Sequence, residues 1–370
     1  MLKRCLPFSI ILLVAGCKDP FEAELRASDR SWLVVEGVLN AGQGPTRIRL
    51  TESVPVGQQQ LKPVLQAQVM VESEAGMVYT FSESGSGNYL FSQLPIVTGE
   101  RYRLRIKTAQ NKEYLSDFVE ARKAPEIDTI TWKKDNDGLK FYVSTHDATN
   151  STRYYNWKFD ETWEIRSFYT ADYKWTGDTV LKHDMYNYRC WLYDSSRNLS
   201  LGTTAQLEQD VLNEQLVHFI PLGSDKLDYR YSMLLKQQSL TKEAYQYLLL
   251  MKKNTESIGS IFDPQPSELR GNINCISDPS EGVIGYVVAT TTTEKRIFVT
   301  NVEANWSYTE NCPSIDVDKH MDSVRKWVPF YLPWGALLSP GGTPILYYMA
   351  PATCVDCTRR GGDLNMPSYW

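Results

Sequence analysis

The sequence predicts a mainly β protein, and three observations carry that prediction. Tyrosine and tryptophan, which favour pleated surfaces, occur 22 and 10 times in 370 residues. Proline (18) and glycine (22) divide the chain into short segments. Between these breaks, apolar and polar residues alternate with the period of a strand buried on one face. We therefore expect a small N-terminal sandwich followed by a larger β-rich domain with one or two helices.

The first sixteen residues have the features of a secretory signal peptide. Two basic residues precede an apolar run that ends at Val14 and is too short to cross a bilayer. The string Leu13-Val14-Ala15-Gly16-Cys17 resembles the bacterial lipobox, in which the cysteine receives a diacylglycerol and becomes an acylated N-terminus. We therefore expect a signal peptide over residues 1–16 and a lipid anchor on Cys17. An ordinary signal peptide with a chance cysteine is the alternative.

Residues 17–31 are predicted to be the lipidated cysteine and a flexible tether, because they are polar and lack apolar periodicity. Lys18-Asp19, with Glu22 and Glu24 nearby, resembles the acidic export signals of Bacteroidota surface lipoproteins. We therefore expect an outer-membrane, lipid-anchored protein that faces the cell exterior. The chain has 39 basic and 44 acidic residues and no basic block, which argues against a nucleic-acid partner.

Seven short alternating segments come next, and turn residues separate most of them. They lie at residues 32–39, 47–50, 68–72, 78–81, 89–91, 101–106 and 114–119. Seven strands of this length predict a Greek-key sandwich over residues 32–123, similar to immunoglobulin or transthyretin-like modules. Pro125 disfavours a continued strand and marks the boundary to a β-rich domain over residues 124–370.

In the second domain, segments 127–132 and 139–145 predict a hairpin around Gly138. Further strands are expected at residues 283–290, 295–301 and 345–349. A helix is expected after Thr241, a suitable N-cap, with Glu243 in its first turn and Lys252 and Lys253 in its last.

Aromatic residues crowd the segment from Tyr154 to Tyr193. Alternate positions put apolar side chains on one strand face and charged ones on the other, where Lys158, Asp160, Glu164 and Arg166 would meet solvent or a partner. Tyrosine and tryptophan stack on sugar rings or peptide side chains, which makes five of them candidate ligand-binding residues. These candidates are Tyr154, Trp157, Trp163, Tyr169 and Trp175. Core packing between two sheets is the alternative role.

Five cysteines remain after the signal peptide and Cys17 are set aside, and an oxidising compartment would favour disulfides. They are Cys190, Cys275, Cys312, Cys354 and Cys357. An odd number leaves one thiol over, and the spacing does not fix the pairing. We favour Cys312 joined to Cys354 or Cys357, with Cys190 and Cys275 available for the other bridge.

Catalytic and metal sites find little support in the sequence. A zinc site from Cys312, His320, Cys354 and Cys357 is possible in ligand type, but the thiols would compete with oxidation. The acidic run 316–322 lacks the glycine and glutamate of a calcium loop. Glu161 and Glu164 fall on opposite faces of a strand, so they cannot form a glycosidase pair without a bulge. We expect no enzyme activity, no cofactor and no metal.

Three short motifs resemble the Bacteroidota O-glycosylation pattern, in which an aspartate precedes serine or threonine and an apolar residue. They make Thr129, Thr179 and Ser323 candidate glycosylation sites.

Five stretches together resemble a known protein family. They are YSMLLKQ (231–237), SLTKEAY (239–245), FDPQPS (262–267), EKRIF (294–298) and CVDCTRRGG (354–362). The chain is similar in these stretches to Bacteroidota lipoproteins with domain of unknown function 4249. The resemblance implies an outer-membrane lipoprotein whose relatives are often encoded near TonB-dependent transporters and have no established activity.

The leading expectation is therefore a non-enzymatic surface lipoprotein that captures a ligand for a TonB-dependent outer-membrane transporter or stabilises its complex. The alternative is an adhesin or structural envelope protein, and a hydrolase is the third hypothesis.

Overall fold

Strands dominate the architecture of the computed structural model, which describes residues 31–54, 60–184, 187–256 and 269–370. The predicted mainly β class is confirmed. Cys17, the predicted signal peptide and residues 262–267 lie outside the described residues. Within the described part, each helix is too short or too polar to cross a membrane.

The first sandwich begins with eleven short strands, because alternating apolar residues between turns can bury one face of each. In chain order they are β1 (Leu33–Gly37), β2 (Leu39–Asn40), β3 (Thr46–Glu52), β4 (Lys62–Pro63), β5 (Gln68–Ser73), β6 (Val78–Thr80), β7 (Ser82–Gly85), β8 (Asn88–Phe91), β9 (Arg101–Lys107), β10 (Glu113–Ser116) and β11 (Val119–Arg122). One sheet contains β1, β3, β8 and β7, and in the other β9 pairs with β5, β10 and β11. Strands occur at all seven predicted places, and the last predicted segment is divided into β10 and β11.

Nine strands and one helix follow before residue 257. They are β12 (Ile127–Lys134), β13 (Gly138–His146), β14 (Tyr154–Arg166), β15 (Tyr173–Trp175), β16 (Val180–Lys182), β17 (Arg189–Ser195), β18 (Ser200–Thr203), β19 (Val211–Pro221), β20 (Arg230–Ser239) and α1 (Lys242–Glu256). A 3-10 turn, Asp225–Leu227, precedes β20. The predicted hairpin of β12 and β13 and the predicted helix are confirmed, and Thr241 Oγ1 accepts from the Ala244 N–H (3.2 Å) at the helix start.

The chain then returns to the first sandwich with β21 (Ile273–Cys275), β22 (Val283–Ile284) and β23 (Ala289–Thr290). β21 pairs with β10, β22 with β1, and β23 with both β2 and β11. Residues 273–290 therefore add to the N-terminal core, whereas the sequence pattern predicts that all of 124–370 belongs to the second domain. These strands are only two or three residues long, so they carry no periodicity that could reveal distant partners.

The second sandwich packs two sheets around the aromatic strand. β24 (Thr292–Thr300) completes a sheet in the order β17-β14-β20-β24, with β18 also paired to β14, and this sheet covers the three-stranded sheet β12-β13-β19. Phe141, Trp157 and Tyr231 are fully buried between them. This core is the structural reason for the apolar alternation along β14.

A smaller sheet ends the chain. Its elements are β25 (Ile315–Asp318), α2 (Met321–Arg325), β26 (Tyr331–Leu338), β27 (Pro344–Pro351) and α3 (Ala352–Val355), followed by a 3-10 turn, Cys357–Arg360. The strands are ordered β25-β27-β26. Residues 363–370 then lie against the sheet that contains β14, where Asp363 forms a β-bridge with Trp191.

Candidate functional site

The five candidate aromatic residues do not converge on one site. Trp157 and Trp163 are buried in the second core, where Trp157 Nε1 donates to Gln237 Oε1 (2.8 Å). Tyr154 packs on Tyr245 of α1, with ring centroids 5.1 Å apart. These contacts give the first three candidates a packing role between sheets or against the helix.

The other two candidates pack against the small C-terminal sheet. Tyr169 stacks on Trp334 with ring centroids 4.3 Å apart, and its hydroxyl donates to the Cys312 carbonyl (2.7 Å). Trp175 is partly buried against the apolar clusters of the same sheet. Most of the aromatic stretch therefore joins layers of the fold together.

A charged cluster lies at the centre of the aromatic strand. Glu161 occupies one of the positions of β14 whose side chains point into the core, and its side chain is only 3% exposed. One carboxylate oxygen contacts the ammonium of Lys226, and the other accepts from the Tyr231 hydroxyl (2.9 Å) and lies 3.3 Å from His218 Nε2. Strand β20 supplies Tyr231, β19 supplies His218, and the turn before β20 supplies Lys226. Three separate elements thus fix one carboxylate.

The cluster keeps Glu161 ionised. Burial alone would raise the pKa of Glu161, but its interactions with His218 and with the Lys226 ammonium outweigh burial and hold the pKa at about 2. Burial and the same carboxylate raise the pKa of Tyr231 well above its ordinary value. At neutral pH the centre is therefore a carboxylate beside an ammonium and a protonated phenol.

An open cavity of about 580 Å³ borders this cluster. Its lining includes Glu161, His218 and Lys226 together with Phe159, Leu216 and the segment 194–200. The Lys226 ammonium also lies 4.8 Å from the ring centroid of Trp163, a cation–π contact that restricts its position. The wall thus combines apolar surface with fixed charges, as in many small-molecule binding sites.

Glu164, the second carboxylate considered for catalysis, forms a separate cluster. Its side chain is 3% exposed and accepts from Arg166 Nε (2.7 Å) and Arg189 (2.6 Å). The expectation that the charged face of β14 meets solvent or a partner is therefore wrong at Glu164, which is buried. Two arginines and the neighbouring strand cover this carboxylate. Its burial therefore results from tertiary contacts, which the alternation of apolar and polar residues along β14 does not indicate.

The described cysteines form two disulfides, Cys190–Cys357 and Cys312–Cys354, and leave Cys275 as a buried thiol. The bridge between Cys190 and Cys275 does not form, because Cys275 lies in the first core and Cys190 in the second. The backbone at Gly362 passes so close to the first bridge that a Cβ there would lie 2.5 Å from the Cβ of Cys190.

The disulfides exclude the zinc site considered from the sequence. Cys312, Cys354 and Cys357 are all oxidised, so they offer no thiolate. Glu310 lies near Cys312 and Cys354, but one carboxylate beside a disulfide does not make a metal site.

The candidate glycosylation residues lie at three different places. Thr129 on β12 and Thr179 before β16 are exposed, and Ser323 in α2 is partly exposed. Exposure at these positions is compatible with O-glycosylation, which stays a prediction.

No local sequence pattern indicates the partners of Glu161. His218 and Tyr231 lie 57 and 70 positions further along the chain. In the sheet, Tyr231 of β20 lies opposite Trp163 of β14 and therefore close to Glu161. This register can be assigned only once β14 and β20 are known to be neighbours, which the sequence does not show.

Comparisons with known proteins identify a family and weak structural similarities. No curated protein matches the chain. Among solved structures, it is similar to a two-domain fibronectin type III segment of chicken tenascin (10% identity, 57% of this chain, 92% of that chain, TM-score 0.17). It is also similar to a chitinase from Bacillus thuringiensis (14% identity, 52% and 29% covered, TM-score 0.15) and to the chicken interferon gamma receptor alpha chain (11% identity, 57% and 90% covered, TM-score 0.14).

TM-scores this low carry no conclusion about function. The family model of the domain of unknown function DUF4249 matches residues 18–296, about three quarters of the chain. The chain therefore belongs to the DUF4249 family.

Proposed function

We propose that this protein is a lipid-anchored outer-membrane protein that faces the cell exterior and binds its partner without catalysing a reaction. In this proposal it acts as an accessory of a TonB-dependent transporter. The observation that supports a binding role is the state of Glu161, the carboxylate that borders a cavity. Lys226, His218 and Tyr231 engage both of its oxygens.

A carboxyl group in that state is poorly suited to acid–base chemistry. A general acid needs a proton near neutral pH, which requires a raised pKa, and Glu161 has a pKa of about 2. A glycosidase also needs a second carboxyl group directed at the same bond. Glu164 is held by two arginines in its own cluster. The geometry therefore favours binding over hydrolysis.

The proposed anchor rests on the lipobox-like string that ends at Cys17. Replacing Cys17 with alanine removes the acceptor thiol, so we expect Cys17→Ala to leave the membrane fraction, whereas the wild-type protein stays there until detergent is added. Fractionation followed by immunoblotting measures this. Equal retention of Cys17→Ala in the membrane would contradict the anchor.

Surface exposure has a separate test. Proteinase added to intact cells should digest the wild-type protein, while a periplasmic marker survives. Survival of the protein until the cells are lysed would place it on the periplasmic side.

The partner is tested by affinity capture of the tagged full-length protein from detergent-solubilised membranes of its own host. We expect a TonB-dependent barrel to co-purify, and Glu161→Gln serves to test whether the charged cavity contributes. Repeated capture without a barrel would contradict the transporter role. Binding of intact cells to glycan or matrix surfaces, lost on deletion of the gene and without barrel capture, would instead indicate the adhesin alternative.

A further inference from the structure

The outward face of β14 borders a second cavity, which adjoins the first and shares Glu161 and residues 194–197 with it. Asp160 and Thr162 point outward from β14, and their cross-strand partners on β17 are Ser195 and Tyr193. The cavity has a volume of about 660 Å³, and its lining also includes Arg296 of β24 and Tyr369 of the C-terminal segment. Three strands and the C-terminal segment thus enclose one polar depression.

Two tyrosine rings form part of its walls and remain accessible. Tyr193 is 50% exposed and Tyr369 is 39% exposed. Tyr369 is held in place, because its hydroxyl hydrogen-bonds with Thr162 Oγ1 (2.7 Å) and the Arg296 guanidinium lies 3.6 Å from its ring centroid. The Tyr369 ring is therefore positioned before any ligand arrives, which lowers the entropy cost of binding.

Polar groups lie between the rings in fixed orientations. Asp160 accepts from Ser195 Oγ (2.7 Å) and contacts the Lys236 ammonium (2.6 Å), yet its side chain is 46% exposed. Arg296 donates to Ser232 Oγ (2.8 Å), which orients its guanidinium. The carboxylate can accept further hydrogen bonds from the hydroxyl groups of a ligand, and the guanidinium can donate to them.

We propose that this outer cavity, between Tyr193 and Tyr369, is a saccharide-binding site. A pyranose ring presents apolar C–H faces, which pack on aromatic rings, and a rim of hydroxyls, which need fixed polar partners. The cavity supplies both: rings at the walls, and Asp160, Ser195 and Arg296 in the lining. The inference extends the proposed binding function by naming a ligand class, and it requires neither the anchor nor the transporter.

The test is calorimetric titration of the purified full-length protein in detergent with malto-, cello-, manno- and xylohexaose. We expect at least one of them to bind. Tyr193→Ala should weaken that binding about tenfold or more through loss of the stacking surface, and Tyr193→Phe should keep it within about twofold. Tyr369→Ala should weaken it in the same way. Tyr142→Ala, at a partly exposed tyrosine of β13 outside the cavity lining, is the matched control and should bind normally.

Two outcomes would overturn the site: failure of all four oligosaccharides to bind, or binding that neither Tyr193→Ala nor Tyr369→Ala weakens. Circular dichroism of each variant confirms the fold, and the half-exposed position of Tyr193 makes a folding defect there small. Capture of a transporter is measured separately with the same variants. If the wild-type protein captures a transporter but binds none of the four saccharides, only this site is rejected; if it binds a saccharide but captures no transporter, only the transporter role is rejected.

Discussion

Glu161 and Asp160 are adjacent residues of one strand, yet the two faces of β14 give them opposite properties. The Glu161 side chain is 3% exposed and its carboxylate contacts Lys226 and Tyr231, whereas the Asp160 side chain is 46% exposed. Both carboxylates contact a lysine, so pairing alone does not distinguish them. The difference shows that the protein encloses the Glu161 carboxylate, whereas the Asp160 carboxylate on the other face stays accessible to solvent.

The largest loss of stability is expected from removing the disulfide between Cys190 and Cys357. Cys190 lies opposite Ile165 of β14, and its bridge to Cys357 spans 167 positions. Replacing both cysteines with alanine should lower the free energy of unfolding by about 4 kcal/mol, because the unfolded chain regains a long loop. Urea titration followed by tryptophan fluorescence reports mainly on this region, since nine of the ten tryptophans follow residue 124.

Cys275→Ala is the matched control for the disulfide variant. It removes a buried sulfur from the first core without opening a bridge, so a change of about 1 kcal/mol is expected. Equal urea midpoints for the double variant and the wild type would show that the disulfide does not stabilise the second sandwich.

The next effect concerns Glu161 itself. Glu161→Gln should lower the free energy of unfolding by about 3 kcal/mol, because the Lys226 ammonium loses the buried carboxylate that compensates its charge. The measurement is the same urea titration at pH 7. A loss below about 1 kcal/mol would mean that the cluster is not a structural element.

Lowering the pH should remove the stabilisation that the ionised Glu161 provides. The pKa of Glu161 is about 2 in the folded protein against an ordinary 4.5, so its stabilisation is present above about pH 4.5 and is lost as the pH falls toward 2. The stability difference between wild type and Glu161→Gln should therefore shrink by about 2 kcal/mol from pH 7 to pH 3. A difference that is independent of pH would contradict the ionised state.

The smallest effect on stability is expected on the outer face. Asp160→Asn should change the free energy of unfolding by less than about 1 kcal/mol, because nearly half of the carboxylate side chain is in solvent and its ion pair is screened. Urea titration beside Glu161→Gln tests this. A loss as large as that of Glu161→Gln would remove the contrast between the two faces.

Sequence reasoning predicted what depends on local patterns. Alternation placed the seven N-terminal strands, and capping residues placed the helix after Thr241. It did not predict the return of residues 273–290 to the first sandwich, because strands of two or three residues take their position from distant partners. The Glu161 cluster was missed for the same reason, since its members meet only when β14, β19 and β20 are assembled.

The pairing of the cysteines also depended on assembly. The structure joins Cys312 to Cys354, one of the two partners that we favoured, while the partner of Cys190 comes from the C-terminal turn. Spacing along the chain could not distinguish Cys354 from Cys357, because the two lie only three positions apart.

The claim that the cavity carboxylate is a fixed anion is tested most directly by measuring its pKa. Selective carbon-13 labelling of glutamate side chains, with Glu161→Gln to assign the signal, allows the Glu161 carboxyl group to be titrated by NMR. We predict a pKa of about 2, which supports a structural charge beside a binding cavity. A pKa at or above the ordinary 4.5 would contradict it, because the neighbouring groups would then not outweigh the effect of burial.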